Sequence, residues 1–332
     1  MNAWSKDSHH WVCLLFTTVC LLTACLLGAC QRSGSSPTSG GRSYEVLVTG
    51  PDSRAVHAVA EALRSIPMPG LPQEEQAFDV SVLVKPELEQ GTRYARNIIL
   101  VSTDSTHLKA TRTLYQQNVY AHPQTIIHID APSVARLQTD LPSCIQSVSD
   151  QLTRAEINHA IVNLRAHHNR EAEQLVADSF GCRLWIPEDL TKTTRGKDFL
   201  WFSNQSASGM QNICVYRYAA DSLLRQQLLT VRDSIMRIYV TGEADSTFMK
   251  TVRESVTFRV KGEHDITQLG ARGLWEMEGV AMGGPFVSLA LKQGDSVLCV
   301  EGFVYAPEMK KRNLVRRLEA SLYTVKCKNK KM

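Results

Sequence analysis

The sequence holds none of the short motifs that carry common chemistries. It has no GxxxxGK[ST] and no GxGxxG, so its glycines build no recognised phosphate cradle. It has no GxSxG, so Ser206 and Ser208 in NQSASGM are not on a nucleophile elbow. HExxH and CxxC are missing too, which argues against a zinc-protease helix, a thioredoxin-type dithiol and a cysteine zinc site. Charge of one sign is also scarce. Lys and Arg number 37 against 33 Asp and Glu, and a net charge of +4 is too mild to imply nucleic acid as a partner. These absences predict no metal and no cofactor, and they leave any catalytic residue unknown.

One long uncharged run is present. Residues 11–29 read WVCLLFTTVCLLTACLLGA, and Cys30 follows at once. Small residues before a cysteine at the end of an apolar run resemble the lipobox of bacterial lipoproteins, in which the thiol receives a diacylglyceryl group and cleavage makes that cysteine the first mature residue. Leu22-Thr23-Ala24-Cys25 is a second match, but Leu26 and Leu27 after it would leave an apolar terminus. After Cys30 the chain turns polar, QRSGSSPTSGGRS, as a flexible tether would. The expectation is a signal peptide over 1–29, lipid on Cys30, a tether over 30–43 and attachment to a membrane of the cell envelope. An uncleaved apolar membrane anchor is the alternative.

Removal of 29 residues leaves 303 of the 332, enough for one large or two modest domains. Five cysteines lie beyond the tether: Cys144, Cys182, Cys214, Cys299 and Cys327. An odd number cannot pair completely. Cys214 and Cys299 stand in strand-like runs and read as small buried apolar residues. Whether any of the five pair stays open.

Strands are expected at YEVLV (44–48), at Phe78 to Val84, at NIILV (97–101) and at TIIHI (125–129). Asp52-Ser53 opens a helix carrying Val56, Val59, Ala60 and Leu63 on one face. A long helix is expected over about 143–179, with Ile157, Ile161, Leu164, Leu175 and Val176 as its stripe and Phe180-Gly181 as its end. Strands follow at 182–186, 199–203 and 213–218, and Asp221 is placed as cap of a helix bearing Leu224, Leu228, Val231, Ile235 and Ile238. After a strand at 256–260, residues 274–280, 286–291 and 297–305 form an antiparallel meander. Gly294-Asp295 makes a two-residue hairpin turn that sets Leu291 opposite Leu298, Leu289 opposite Val300 and Ser288 opposite Glu301. The final helix, with Leu314, Val315, Leu318, Leu322 and Val325, covers the apolar face of that meander. The fold class is therefore α+β: an N-terminal lobe (44–180) ending in the long helix, a C-terminal lobe (181–326) and a basic tail (327–332).

Several clusters could carry chemistry, and each has a plainer explanation. Glu276, Glu278 and Glu301 are placed on the polar face of the meander, where carboxylates could share acid–base work or simply meet solvent. His159, His167, His168 and Glu171 lie on the long helix, but no third ligand accompanies the His167/Glu171 pair. Gly279, Gly283 and Gly284 in EGVAMGGPF suit a turn better than a phosphate site. Lys310, Lys311, Arg312, Arg316 and Arg317 make the last helix basic, either as a solvated face or as a contact to anionic lipid. Trp185, Trp201, Trp275 and Tyr216 could stack on sugars or fill the core. The leading expectation is a non-catalytic binder of an envelope protein or ligand. A hydrolase using the carboxylate face and a glycan-binding module are the alternatives.

Seven segments, PGLPQEEQAFDVS (69–81), AHPQTIIHIDAP (121–132), GKDFLWFSN (196–204), MQNICVYRY (210–218), RGLWEM (272–277), MGGPFVS (282–288) and VEGFVYAPEMKKRNLVRRLEASLYT (300–324), occur in this order. Together they resemble a family of Bacteroidota lipoproteins catalogued as a domain of unknown function (DUF4837), across nearly the whole mature chain. The resemblance implies an envelope location and one family-wide fold unit. It implies no activity, cofactor or catalytic residue. Surface-exported lipoproteins of that group often carry acidic residues after the lipidated cysteine. Residues 31–36 hold none, which points to the periplasmic side, with the outer membrane as the expected anchor site.

Overall fold

The computed structural model of the chain describes residues 37–103, 107–206, 208–242, 244, 246–261 and 267–327. The apolar run and Cys30 lie outside the described residues. From Thr38 onward the chain forms one compact unit.

The N-terminal lobe is built on strands with few polar interruptions. β1 (Glu45–Gly50), β2 (Asp79–Val84), β3 (Asn97–Ser102), β4 (Arg112–Gln117) and β5 (Thr125–Asp130) form a sheet in the order β2-β1-β3-β5-β4. Its first four members run parallel and β4 is antiparallel. Parallel strands must be covered on their faces, and this explains the near-continuous apolar runs of β3 and β5. α1 (Ser53–Arg64) starts where the sequence places it, with the Asp52 carboxylate accepting from the amides of Arg54 and Ala55. Val56, Val59, Ala60 and Leu63 all become core. β4, RTLYQQ, was not anticipated, because its side chains are mostly exposed and show no alternation.

The long helix differs from expectation at both ends. α2 (Val134–Ala166) begins about nine residues early, capped by Ser133, whose hydroxyl accepts from the Arg136 amide. Pro142 lies inside it. The core positions Leu137, Leu141 and Ile145 around that proline offset its lost hydrogen bond. The helix then stops at His167, and α3 (Arg170–Phe180) starts afresh. Asn169 causes the break: its side chain caps α3 at the Ala172 amide and also donates to the Leu190 carbonyl. α2 joins the lobes, since its first half packs on the N-terminal sheet and Ile157 and Leu164 pack with Ala320. α3 packs with the C-terminal core, through Ala172, Val176 and Phe180. Gly181 closes α3 with φ of 67°.

In the C-terminal lobe, β6 (Cys182–Arg183) is only two residues, because the chain turns away before Pro187. β7 (Lys192–Gly196), β8 (Phe199–Ser203), β9 (Met210–Ala219), β10 (Met249–Lys261), β11 (Gln268–Met277), β12 (Val280–Gln293) and β13 (Ser296–Tyr305) form one antiparallel sheet, ordered β10-β11-β12-β13-β9-β8-β7. The Gly294 turn sets the expected register, with Leu291 opposite Leu298 and Ser288 opposite Glu301. α4 (Arg225–Tyr239) covers one face and α5 (Arg312–Leu322) the other. On the α5 face, Val287, Leu298, Val300 and Val304 meet Val315, Leu318 and Leu322. Gly302 lets α5 approach, since a β-carbon there would stand 2.7 Å from that of Leu318.

Two details of this lobe are corrected. α4 is not capped by Asp221: it starts at Arg225 after Leu224, with no side-chain cap. Its inward face is Leu228, Leu229, Arg232 and Met236, while Leu224 and Ile238 are exposed. The cysteine question also closes. β14 (Lys326–Cys327) pairs with β6, and Cys182 and Cys327 form a disulfide. Cys214 and Cys299 are buried free thiols, as expected.

Candidate functional site

The three carboxylates read as one face do not converge. Glu301 points from β13 to the α4 side of the sheet and is wholly buried. Its register partners are Ser288 on β12 and Cys214 on β9. Strand alternation puts Glu276 on the opposite face. Glu276 and Glu278 stay half exposed and both bind Lys250 on β10, the Glu276 bond at 3.2 Å. The side-chain hydrogen bond from Lys250 holds the Glu278 carboxyl below the usual carboxylate range. An acid catalyst needs the reverse shift. The hydrolase reading therefore loses its geometry.

Glu301 instead meets Arg232, which the sequence reading passed over. Arg232 is 1% exposed and Glu301 0%. The Arg232 Nε donates to both carboxylate oxygens, at 3.0 and 2.9 Å, and a terminal nitrogen lies 2.8 Å from Oε1. Another donates to the Thr251 hydroxyl at 2.8 Å, and the guanidinium lies 4.2 Å from the Phe286 ring centre. Asp233, next on the helix, accepts from the Thr251 amide at 2.9 Å and from Arg253 at 3.0 Å. Burial pushes the Glu301 carboxyl up while Arg232 pulls it down, and burial prevails. The pair ties α4 to the sheet. A signal was present: an arginine one turn after Leu228 and one turn before Met236, on a helix that must cover a sheet.

The basic final helix is neither a solvated face nor free for lipid. Lys311, Arg312 and Arg316 are buried against the N-terminal lobe and Tyr44. Glu75 accepts from the amides of Lys311 and Arg312, at 2.7 and 3.0 Å, and so caps a helix that has no cap of its own. Asp79 receives Arg312 in two hydrogen bonds. Glu319 binds Arg272 at 2.7 Å and Arg316 at 3.1 Å. Arg317 reaches Asp189 at 3.0 Å. Of the five residues named as this basic face, Lys310 is exposed and Arg317 is partly so.

Of the named histidines, His167 is exposed, His159 is half-buried and His168 has a structural place. His168 is buried between the Leu164 carbonyl and the Glu173 carboxylate, at 2.7 and 2.8 Å. The helix break at His167 ends the four-residue relation to Glu171, and no metal-binding group of three is found among the described residues. Trp275 and Tyr216 are core, Trp201 is half-buried against Phe303 with its indole donating to Asn212 at 2.9 Å, and Trp185 is half-buried against Arg183 and His168, so the four form no common platform of exposed rings.

One open cleft of about 320 Å³ gathers three of the quoted segments. Pro72 faces Val252, Leu274, Glu276 and the Met282–Gly284 stretch across it. Gly284 permits the close packing there, because a β-carbon would fall 2.0 Å from the Val304 carbonyl oxygen. Gly283 and Gly284 thus serve strand packing, and Gly279, with φ of 77°, serves the turn before β12.

These landmarks coincide with matches to known families. Residues 169–324 match the model described as Domain of unknown function (DUF4837). The C-terminal lobe resembles the DUF4837 family. Residues 39–165 match a second model, Domain of unknown function (DUF8532). The resemblance read across the whole mature chain thus divides: segments 69–81 and 121–132 fall in the second match. The DUF4837 match starts at Asn169, where α3 is capped. A crystal structure from Bacteroides thetaiotaomicron VPI-5482 is similar over 45% of this chain and 46% of that chain, at 15% identity and a TM-score of 0.25. The chain thus spans less than half of that protein. No curated protein matches the chain.

Proposed function

We propose that this is an envelope lipoprotein, held to a membrane by lipid on Cys30, whose paired DUF8532 and DUF4837 regions bind a partner or ligand without catalysis. The observation that carries the reading is Leu27-Gly28-Ala29-Cys30 at the end of an uncharged run, followed by a polar stretch whose last residues, 38–43, already belong to the fold. The Cys182–Cys327 disulfide supports an oxidising compartment such as the periplasm. The cleft beside Pro72 is the size of a small-ligand site and is formed by both lobes. Growth with labelled palmitate tests the anchor. Label is expected in the wild type and in Cys25→Ser, and lost in Cys30→Ser. Label retained by Cys30→Ser would refute it. Crosslinking in cells followed by purification of the lipidated chain then identifies what it binds, and turnover of glycan or ester substrates by the pure protein would overturn the non-catalytic reading.

A further inference from the structure

Exposed apolar side chains are mostly scattered singly, as on any protein, and Val162, Leu224 and Ile238 are examples. The edge of the N-terminal sheet is different. β4 and the turn after it are exposed without a break from Leu114 to Tyr120, and Leu114, Tyr115, Val119 and Tyr120 are each at least 40% exposed. β4 is an edge strand, so its outer rim is also unpaired by another strand.

Arg93 stands beside this patch. Its guanidinium lies 4.9 Å from the Tyr94 ring centre and 6.0 Å from that of Tyr120. One nitrogen donates to the Tyr94 hydroxyl at 2.8 Å, and Nε is buried with no hydrogen-bond partner. No carboxylate pairs with Arg93 among the described residues. Nearby Glu89 is held by Lys85 at 3.1 Å.

The start of the folded chain lies at the same place. The Ser39 amide donates to the His122 carbonyl at 3.3 Å, two residues from Tyr120. The Gly40 amide donates to the Tyr94 carbonyl at 2.9 Å. Thr38 is eight residues from Cys30, which fully extended reach at most about 28 Å. A lipid on Cys30 therefore keeps a membrane close to this side of the molecule.

We infer that the Tyr115, Val119 and Tyr120 surface, with Arg93 at its edge, rests on the phospholipid bilayer that holds the anchor. Tyrosines with an apolar body and a polar tip suit the headgroup layer, and an unpaired guanidinium suits its phosphates. The inference rests on lipidation of Cys30 and adds an orientation: the patch faces the lipid, while the cleft at Pro72 belongs to a different part of the fold.

The test uses the full chain purified from its membrane and reconstituted into vesicles of phosphatidylethanolamine and phosphatidylglycerol carrying a photoactivatable headgroup. Crosslinked peptides are mapped by mass spectrometry, and intact mass reports lipid on Cys30. Crosslinks are expected to concentrate in 92–96 and 112–124. Arg93→Gln should lower their yield about fivefold, the worth of one surface cation at an anionic membrane. Tyr115→Ser/Tyr120→Ser should lower it further, with unchanged circular dichroism and unchanged sedimentation with vesicles. Lipid on Cys30 with crosslinks spread elsewhere, or with chain-to-chain crosslinks through β4, overturns the orientation and leaves the anchor standing. Absence of lipid on Cys30 overturns the anchor, and the orientation with it.

Discussion

Arg232 and Glu301 meet in a closed pocket under α4, whereas Arg312 meets Asp79 across a seam between lobes that water reaches at its rim, beside the buried Arg272, Arg316 and Glu319 cluster of the C-terminal lobe. Both clusters use arginine and carboxylates. They differ in access: Glu301 is 0% exposed, while the Asp79 side chain is 45% exposed. A dry pair loses hydration on both ions and must be repaid by geometry, so removing one partner strands a charge. A rimmed seam fails by degrees, because water can replace a lost partner. The first arrangement fixes one helix on one sheet. The second fixes two lobes that match separate families.

The largest expected effect breaks the dry pair. Glu301→Leu should lower unfolding free energy by about 3–5 kcal/mol, measured by guanidinium denaturation. The double change Arg232→Met/Glu301→Leu should recover most of that loss. A single variant that melts like the wild type would mean that water reaches the pair after all. Beside the seam, Glu319→Gln leaves Arg272 and Arg316 short of a charge and should cost about 2 kcal/mol by the same measurement. Removing the borrowed helix cap is milder. Glu75→Ala should cost about 1 kcal/mol, with faster amide exchange at Lys311 and Arg312.

Acid separates the clusters by sign. The hydrogen bond from Arg312 lowers the Asp79 pKa, and for Glu319 burial pushes up but Arg272 and Arg316 outweigh it. Lowered carboxyls stabilise the fold above their unfolded values, near 4, and lose that contribution as pH falls through the lower folded values. Glu301 is raised, so its contribution is present in acid and is lost as pH rises. Denaturation midpoints from pH 6 to 3 should fall below about pH 4 in the wild type and fall less steeply in Glu319→Gln. The smallest effect belongs to the exposed Lys250 bridge: Lys250→Ala should leave the midpoint unchanged, and a clear loss there would show that Glu276 and Glu278 depend on it structurally.

Local signals were legible wherever a few neighbouring residues settle the conformation. Asp52 caps α1, Gly181 ends α3, and Gly294 sets every pair between β12 and β13. Asn169 was equally legible as a cap but lay inside an apolar periodicity that ran through it, so two helices looked like one. β4 was missed because an exposed edge strand shows no alternation. The carboxylate face failed for a related reason. The hairpin register correctly put Glu301 opposite Ser288 and away from Val300, but the sequence does not say that α4 covers that side with an arginine.

The sequence by itself determined most strands and helices, though not β4, β7 or the break at Asn169, together with the apolar face of the meander, the helix that covers it and the lipobox that suggests an address. Only the tertiary structure decided that Glu301 is an ion-pair partner for Arg232, that the basic residues of α5 belong to a seam, and that Cys182 pairs with Cys327. Each of these joins residues far apart in the chain, 236 positions in the case of Glu75 and Lys311. A charged side chain reads as solvent-facing unless its partner is known, and the partner is chosen by packing, which local propensity does not encode.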